Sequence, residues 1–372
     1  MQFALNPDQL LLKDAVDAFV KHRYRAGEHR KHRAHPAGYS ADNWRALAEI
    51  GVLALPFAEE DGGVGGGLRE LAIALESLGR GLCVEPFLDE VVVAGGLLAR
   101  IGTPAQKAAL LPRIIGGEAH FALAHFEHAA RFSLGDVEVR AESRDGRVAL
   151  FGEKSVVPLA AVADTWIVSA RDDAGVVGFY LVAPDAGGVE QRDFRMIDGS
   201  VASALRFQGT QTAERLAGGL DDLEAVADVA RVAAGAEMIG IMATLFESTN
   251  EYLQVRQQFG QPLGRFQVLQ HRMADLYVLL EQSRSQLFRA VDALGNGAGA
   301  RSVAGMKSYV SRAAVKMGEE CVHLHGGMGT TDELSIGHGY KRLLLLASMF
   351  GDANTELVRF NALRSVAVAA RI

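Results

Sequence analysis

Cysteine is scarce: only Cys83 and Cys321 stand among 372 residues. That excludes a disulfide framework and fits a reducing cytoplasm. An excess of positive charge is also missing. With 38 Lys and Arg against 45 Asp and Glu, the formal net charge is -7. A general nucleic-acid binder is usually basic, so that class is disfavoured. Local arginines can still hold a polyanionic small ligand against an acidic background. The first residues, MQFALNPDQLLLKD, lack a basic segment followed by an apolar core, so no signal peptide is read there. No uninterrupted apolar run approaches the ~20 residues of a membrane span. The expected setting is soluble and cytoplasmic, with neither nucleic acid nor a membrane as partner.

Apolar residues are plentiful. At 49% hydrophobic, the chain can build two or three cores. Asn6 is a good N-cap with Pro7 behind it, and Leu12, Ala15, Val16, Phe19 and Val20 recur at helical spacing. The basic run Lys21 to Pro36 reads as a solvated helix end and loop rather than a nucleic-acid patch. A second helix is expected over Trp44 to Leu55, stopped at Pro56. Further helices are expected over Arg69–Gly79, Val91–Ile101 and Ala105–Ile115. The loop Ala58 to Gly67 is too rich in glycine to be regular and fails the spacing of a dinucleotide fingerprint.

Near Gly117 the pattern changes. Short alternating or β-branched runs follow at Phe121–Leu123, Arg147–Phe151, Thr165–Ser169, Val177–Val182 and Ala204–Phe207, separated by Gly, Asp and Pro. They predict a small β barrel or sandwich. From Leu223 long helical patterns return, broken at Leu294–Gly299. The chain thus divides into helical residues 1–117, a β domain at 118–218 and a helical bundle at 219–372.

The segment Cys321 to Glu356 concentrates the chemistry. Gly326-Gly327-Met328-Gly329 is a turn whose backbone N–H groups can approach a phosphate. Gly351-Asp352 closes an apolar run, and Asp352 reads either as a positioned base or as the N-cap of the next helix. Cys321, His323 and His325 would share a face on a strand but not on a helix, and no second ligand pair matches them, so no metal is expected. Upstream, Arg256-Gln257-Gln258-Phe259-Gly260 joins two helices. Its arginine could fork onto a pyrophosphate or simply cap the helix.

Taken together, Arg256-x-x-Phe259-Gly-x-x-Leu-Gly-x-Phe266-x-x-Leu-Gln, His325-Gly-Gly-Met-Gly and Gly351-Asp352 resemble the acyl-CoA dehydrogenases, as do Leu55-Pro with its glycine pair and Gly152-Glu-Lys. The resemblance spans essentially the whole chain. Leu55-Pro-Phe-Ala-Glu-Glu-Asp-Gly-Gly, Phe266-Gln-Val-Leu-Gln-His-Arg and Phe350-Gly-Asp are most similar to the pimeloyl-CoA dehydrogenase small subunits. It implies a mainly α fold: an N-terminal helical domain, a middle β-barrel and a C-terminal four-helix bundle. It also implies FAD, an acyl-CoA substrate and an electron-transfer flavoprotein as electron acceptor.

In that family a carboxylate takes the α proton while flavin N5 takes a hydride from the β carbon. Asp352 stands where most members have glutamate. The alternative site used by some relatives corresponds to Ala230, which cannot serve. By the same resemblance Arg256 meets the cofactor phosphates across a subunit interface, with Phe259, Phe266 and Gln267 along that edge. His323, Gly326 and Gly327 fall near the ADP part, and Asn354 and Glu356 touch the adenine end. Two segments depart from the pattern. Phe121-Ala-Leu-Ala124-His125 replaces an aromatic-x-x-Thr-Glu segment, and Val156-Val157-Pro158 replaces Trp-Ile-Thr/Ser. The resemblance implies a tetramer, either a homotetramer or a heterotetramer with a homologous larger subunit, and these departures motivate the mixed form. A non-catalytic subunit completing that partner's FAD site is the alternative.

Overall fold

The computed structural model describes residues 4–25, 27–144, 147–212 and 214–369. The chain forms two compact units, 1–30 with 68–83 and 231–372, and 31–67 with 84–230.

The first unit is helical. Its helices are α1 (Pro7–Arg23), α4 (Leu68–Arg80), most of α7 (Leu220–Val255), α8 (Gln267–Gly295), α9 (Ala300–His325), α10 (Ser335–Ser348) and α11 (Ala353–Ala369). The expected start of α1 is built as a capping box, Asn6 accepting from the Gln9 N–H while the Gln9 side chain accepts from the Asn6 N–H. Helix α9 is central, packing against α8, α10 and α11. Against α4, helix α7 lies so close that a Cβ on Gly79 would stand 2.3 Å from the Glu237 carbonyl, and one on Gly240 2.1 Å from that of Glu76. Helix α7 is long and apolar enough to span a membrane by length and composition, yet 83% of its most apolar window is buried inside the protein. Val232, Ala236, Ile239 and Ala243, which share one helical face, are all buried, while Phe246 on the same face is half-buried.

The second unit surrounds one sheet. Its strands are β1 (Phe121–Ala124), β2 (Arg140–Arg144), β3 (Arg147–Pro158), β4 (Thr165–Asp172), β5 (Val177–Val182), β6 (Val189–Arg195), β7 (Val201–Gln211) and β8 (Glu214–Arg215). Their hydrogen-bonded order is β6-β7-β3-β2-β4-β5-β8, with β1 also paired to β4. Strands β1 and β2 both run parallel to β4, β1 on Thr165–Val168 and β2 on Arg171–Asp172, while all other pairings are antiparallel. Every strand expected from alternation is present. Strands β2 and β6 were not expected; RAESR and VEQRDFR are mostly polar, and β6 is an exposed edge strand without an apolar face.

Helix α3 (Ala41–Glu49) corrects the expected Trp44–Leu55 helix. It begins at the Ser40 cap and stops at Glu49, because Gly51 takes φ +78° and the following residues turn. The basic stretch holds a short helix, α2 (Glu28–Ala34). The expected Val91–Ile101 helix divides into a π-helical stretch, Leu88–Gly95, and α5 (Gly96–Ile101); α6 (Pro104–Ile115) follows. Glu90, on the π-helical stretch, is wholly buried, and its carboxylate lies 2.7 Å from His120 Nδ1. His120 Nε2 lies 2.7 Å from the Tyr39 hydroxyl. Burial lifts the Glu90 carboxyl to about 7, against the opposing pull of His120.

The sheet's polar centre is Lys154. It is 0% exposed, and its ammonium donates to Glu127 Oε1 at 2.6 Å, Ser169 Oγ at 2.8 Å and the His125 carbonyl at 3.1 Å. Glu127 also accepts the N–H groups of Glu138 and Val139. Burial pulls the Lys154 pKa down to about 8, with Glu127 opposing it, and drives His125 down to about 3, which keeps that imidazole neutral. Removing one member of such a pair leaves an uncompensated buried charge. Glu127→Ala is expected to lower the unfolding free energy of this unit by ~3–5 kcal/mol. Denaturant unfolding followed by tryptophan fluorescence reads it, since Trp44 and Trp166 both lie in this unit. Pairing Glu127→Leu with Lys154→Met should restore most of the loss.

Candidate active site

Helix α10 ends inside the protein. Its last carbonyls would lack donors there, and the chain leaves it through a tight reversal. Phe350 takes φ +52° and Gly351 φ +121°. A Cβ on Gly351 would lie 2.6 Å from Glu356 Oε1, so the position needs glycine for both conformation and space. The reversal delivers Asp352 to the start of α11. Asp352 Oδ1 accepts the N–H of Thr355 at 2.7 Å and that of Asn354 at 3.1 Å. The cap is therefore real, and these donors hold the carboxyl below its ordinary range, with Lys307 contributing. The side chain is half-buried.

Buried side chains from α7 and α9 fix the backbone on either side. Lys307, 0% exposed, donates to the carbonyls of Leu346, Ala347 and Gly351, each at 3.0 Å, and lies 3.2 Å from Ser311 Oγ. Arg231 Nε donates to the Phe350 carbonyl at 3.1 Å and lies 2.9 Å from Glu356 Oε1. Ser308 Oγ donates to the Ala353 carbonyl at 2.7 Å. Burial pulls the Lys307 pKa to about 7 while Glu356 and Asp352 act to raise it.

A second group lies at the other end of α7. Arg256 follows its last turn and is exposed. Strands β9 (Gln257–Gln258) and β10 (Gln261–Pro262) make a ribbon whose tip carries Phe259, 88% exposed, edge-on to Phe266 at 6.1 Å. Gln267 begins α8 and is exposed. Nearby, Tyr252 stacks on His325 at 4.4 Å, which ties the Gly326 turn to α7 one turn before Arg256. Gly326 (φ +60°) and Gly327 are exposed, with no atom within 4 Å of where a Cβ would sit. His323 Nδ1 lies 2.9 Å from Arg272 Nη2. Cys321, His323 and His325 lie on helix α9, and His325 Nδ1 lies 2.8 Å from the Cys321 carbonyl.

Arg256, Phe259, Phe266, Gln267, His323 and the glycine turn are thus gathered at one pole, and Asp352 and Asn354 at another. The 14 residues of α10 run between them, about 21 Å at 1.5 Å per residue. Glu356 is a correction. Expected beside the adenine, it is 0% exposed, with its carboxylate turned inward to Arg231 beneath Gly351. Sequence reasoning missed Lys307, Arg231 and Ser308. A signal for Lys307 was present, because it interrupts the apolar stripe Val303, Val310 and Ala314 at helical spacing.

Residues 6–118 match the family model "Acyl-CoA dehydrogenase, N-terminal domain" and residues 217–360 match "Acyl-CoA dehydrogenase, C-terminal domain". The chain belongs to the acyl-CoA dehydrogenase family. Acyl-CoA dehydrogenase IpdE2 of Mycolicibacterium smegmatis is 28% identical over 96% of this chain and 99% of its own. Among solved structures, the Tcur3481-Tcur3483 steroid ACAD is similar at 28% identity and TM-score 0.88, covering 97% of this chain and 99% of its own. The ChsE4-ChsE5 complex from Mycobacterium tuberculosis is similar at 26% identity and TM-score 0.90, covering 99% of both chains. In this acyl-CoA dehydrogenase, Gly351→Ala is expected to cost ~2 kcal/mol or more, from a left-handed φ combined with the Glu356 clash. A lowered thermal midpoint would register it, whereas an unchanged midpoint would refute the strained-turn account.

Proposed function

We propose that this chain is the catalytic subunit of an FAD-dependent acyl-CoA dehydrogenase that converts an acyl-CoA to its α,β-unsaturated thioester. The carrying observation is Asp352, a half-buried carboxylate held by two backbone N–H donors on a turn pinned by Lys307 and Arg231. Asp352 takes the α proton at Oδ2. A carboxylate below its usual pKa is a weak base, so its efficiency rests on placement against the α carbon. The pinned turn compensates for a side chain one methylene shorter than glutamate.

The exposed group at the far pole fits FAD. A guanidinium suits a pyrophosphate, an open diglycine lets backbone approach, and Phe259 with Phe266 offers ring faces. Arg256, Phe259, Phe266, Gln267, His323, Gly326 and Gly327 would hold the cofactor, with Asn354 at an adenine end. When bound, FAD supplies the acceptor for the hydride leaving the β carbon. The α10 spacing supports a cofactor shared across copies, so that the far-pole group serves a neighbouring subunit's site. The reading includes three domains (1–117, 118–218, 219–372), a cytoplasmic location and electron delivery to an electron-transfer flavoprotein.

A mixed tetramer with a homologous larger subunit follows from Ala124 and Val156–Pro158, where the side chains expected beside the flavin are missing. The complex named for ChsE4-ChsE5 supports such pairing. The likeness to pimeloyl-CoA dehydrogenase small subunits and to a steroid ACAD favours a dicarboxylic or bulky ring-derived acyl group.

The test is the flavin spectrum of the chain, purified alone and with a co-expressed partner, before and after CoA thioesters of dicarboxylic and ring-bearing acids. Bleaching by one of them is expected in the mixed assembly. Asp352→Asn should slow that bleaching by several orders of magnitude. An unchanged rate assigns this chain the structural role instead. A stable, fully flavinated, active homotetramer would overturn the mixed assembly.

A further inference from the structure

Three groups within the helical unit touch the backbone that carries Asp352: Lys307, Arg231 and Ser308. Lys307 is the one whose chemistry is least explained by folding alone. A lysine ammonium is strongly hydrated, and stripping it of water is costly unless its donors are all used. Here it has three protons and four oxygen neighbours, three of them carbonyls on the chain leading into Asp352. An apolar side chain would fill the same volume without the desolvation cost, but it would leave the Leu346, Ala347 and Gly351 carbonyls without these bonds. We propose that Lys307 is the positioning residue of the dehydrogenation, clamping the end of α10 to Gly351 so that Asp352 projects at one fixed place. This rests on the reading of Asp352 as the base.

The geometry separates the tasks of the two buried cations. Arg231 is shared between the Phe350 carbonyl and Glu356, so it ties the reversal to α11. Lys307 bonds the last carbonyls of α10 and that of Gly351, so it ties the helix end directly to the last residue of the positive-φ pair Phe350 and Gly351. Without it, Phe350 and Gly351 become a hinge directly next to Asp352. A misplacement of ~1 Å at a reacting group can cost about a hundredfold in rate. Lys307 touches neither substrate nor cofactor in this role, and it acts only through the turn.

The experiment compares Lys307→Met, Lys307→Gln and Asp352→Asn in the full native assembly. The probe is the CoA thioester that bleaches the wild-type flavin. Lys307→Met is expected to slow flavin reduction at saturation roughly a hundredfold with unchanged apparent affinity for the thioester. Lys307→Gln keeps two N–H donors and should recover part of that rate. Amide exchange of residues 349–356 should quicken at least tenfold in Lys307→Met while α9 and α11 beyond this segment keep their protection. A wild-type reduction rate in Lys307→Met, with Asp352→Asn inactive, overturns the positioning role alone. A rise in exchange spread evenly over α9, α10 and α11 marks general destabilisation and overturns it too. Unchanged turnover in Asp352→Asn brings down the base assignment, and the catalytic role of Lys307 falls with it. In that case the exchange result still decides whether Lys307 clamps the turn.

Discussion

The C-terminal end of a helix carries carbonyl oxygens that must find donors, and at the end of α10 Leu346, Ala347, Phe350 and Gly351 are buried. Much of the candidate site's form follows from how that requirement is met. Lys307 takes Leu346, Ala347 and Gly351, Arg231 takes Phe350, and Ser308 takes Ala353. Each donor comes from α7 or α9, so the bundle's core is also the mould for the turn. Cations suit this place twice over, since the helix macrodipole leaves its C-terminus negative. Glu356 and Asp352 then balance the cations from the N-terminal side of α11.

The second consequence is distance. Helices α7 and α10 act as spacers, α7 carrying Arg231 and ending just before Arg256, and α10 lying between the glycine turn and Asp352. They hold an exposed, cationic and aromatic pole apart from a buried, charge-balanced one. On the proposed roles of the two poles, association of copies or of homologues would bring the far-pole group of one chain to the Asp352 site of another.

Legibility in the sequence followed the strength of local signals. The Asn6 cap, the helix expected over Ala105–Ile115 and the short β-branched runs were readable because propensity, pattern and tertiary context agree there. Strand β6 was not readable, because an edge strand facing water needs no apolar face. The motifs singled out Asp352, Arg256 and the glycine turn as candidates. They did not reveal the buried network beneath, of which only Lys307 leaves a trace, a charge set within an apolar stripe at helical spacing. Glu356 shows the difficulty most clearly. One helical turn beyond Asp352, it looks like another outward polar residue, and only the approach of Gly351 and Arg231 turns it inward.

The cap on α11 has a thermodynamic side. Two backbone N–H groups and the positive end of a helix favour Asp352 as an anion. When the carboxylate accepts a proton, those donors lose part of their partner, and the first turn of α11 is less well held. The protonated acid is therefore the strained member of the pair. On the proposed role of Asp352 as the base, the same helix that lowers the group's basicity would drive the proton back out, so the start of α11 would act as a return spring for a base that resets itself.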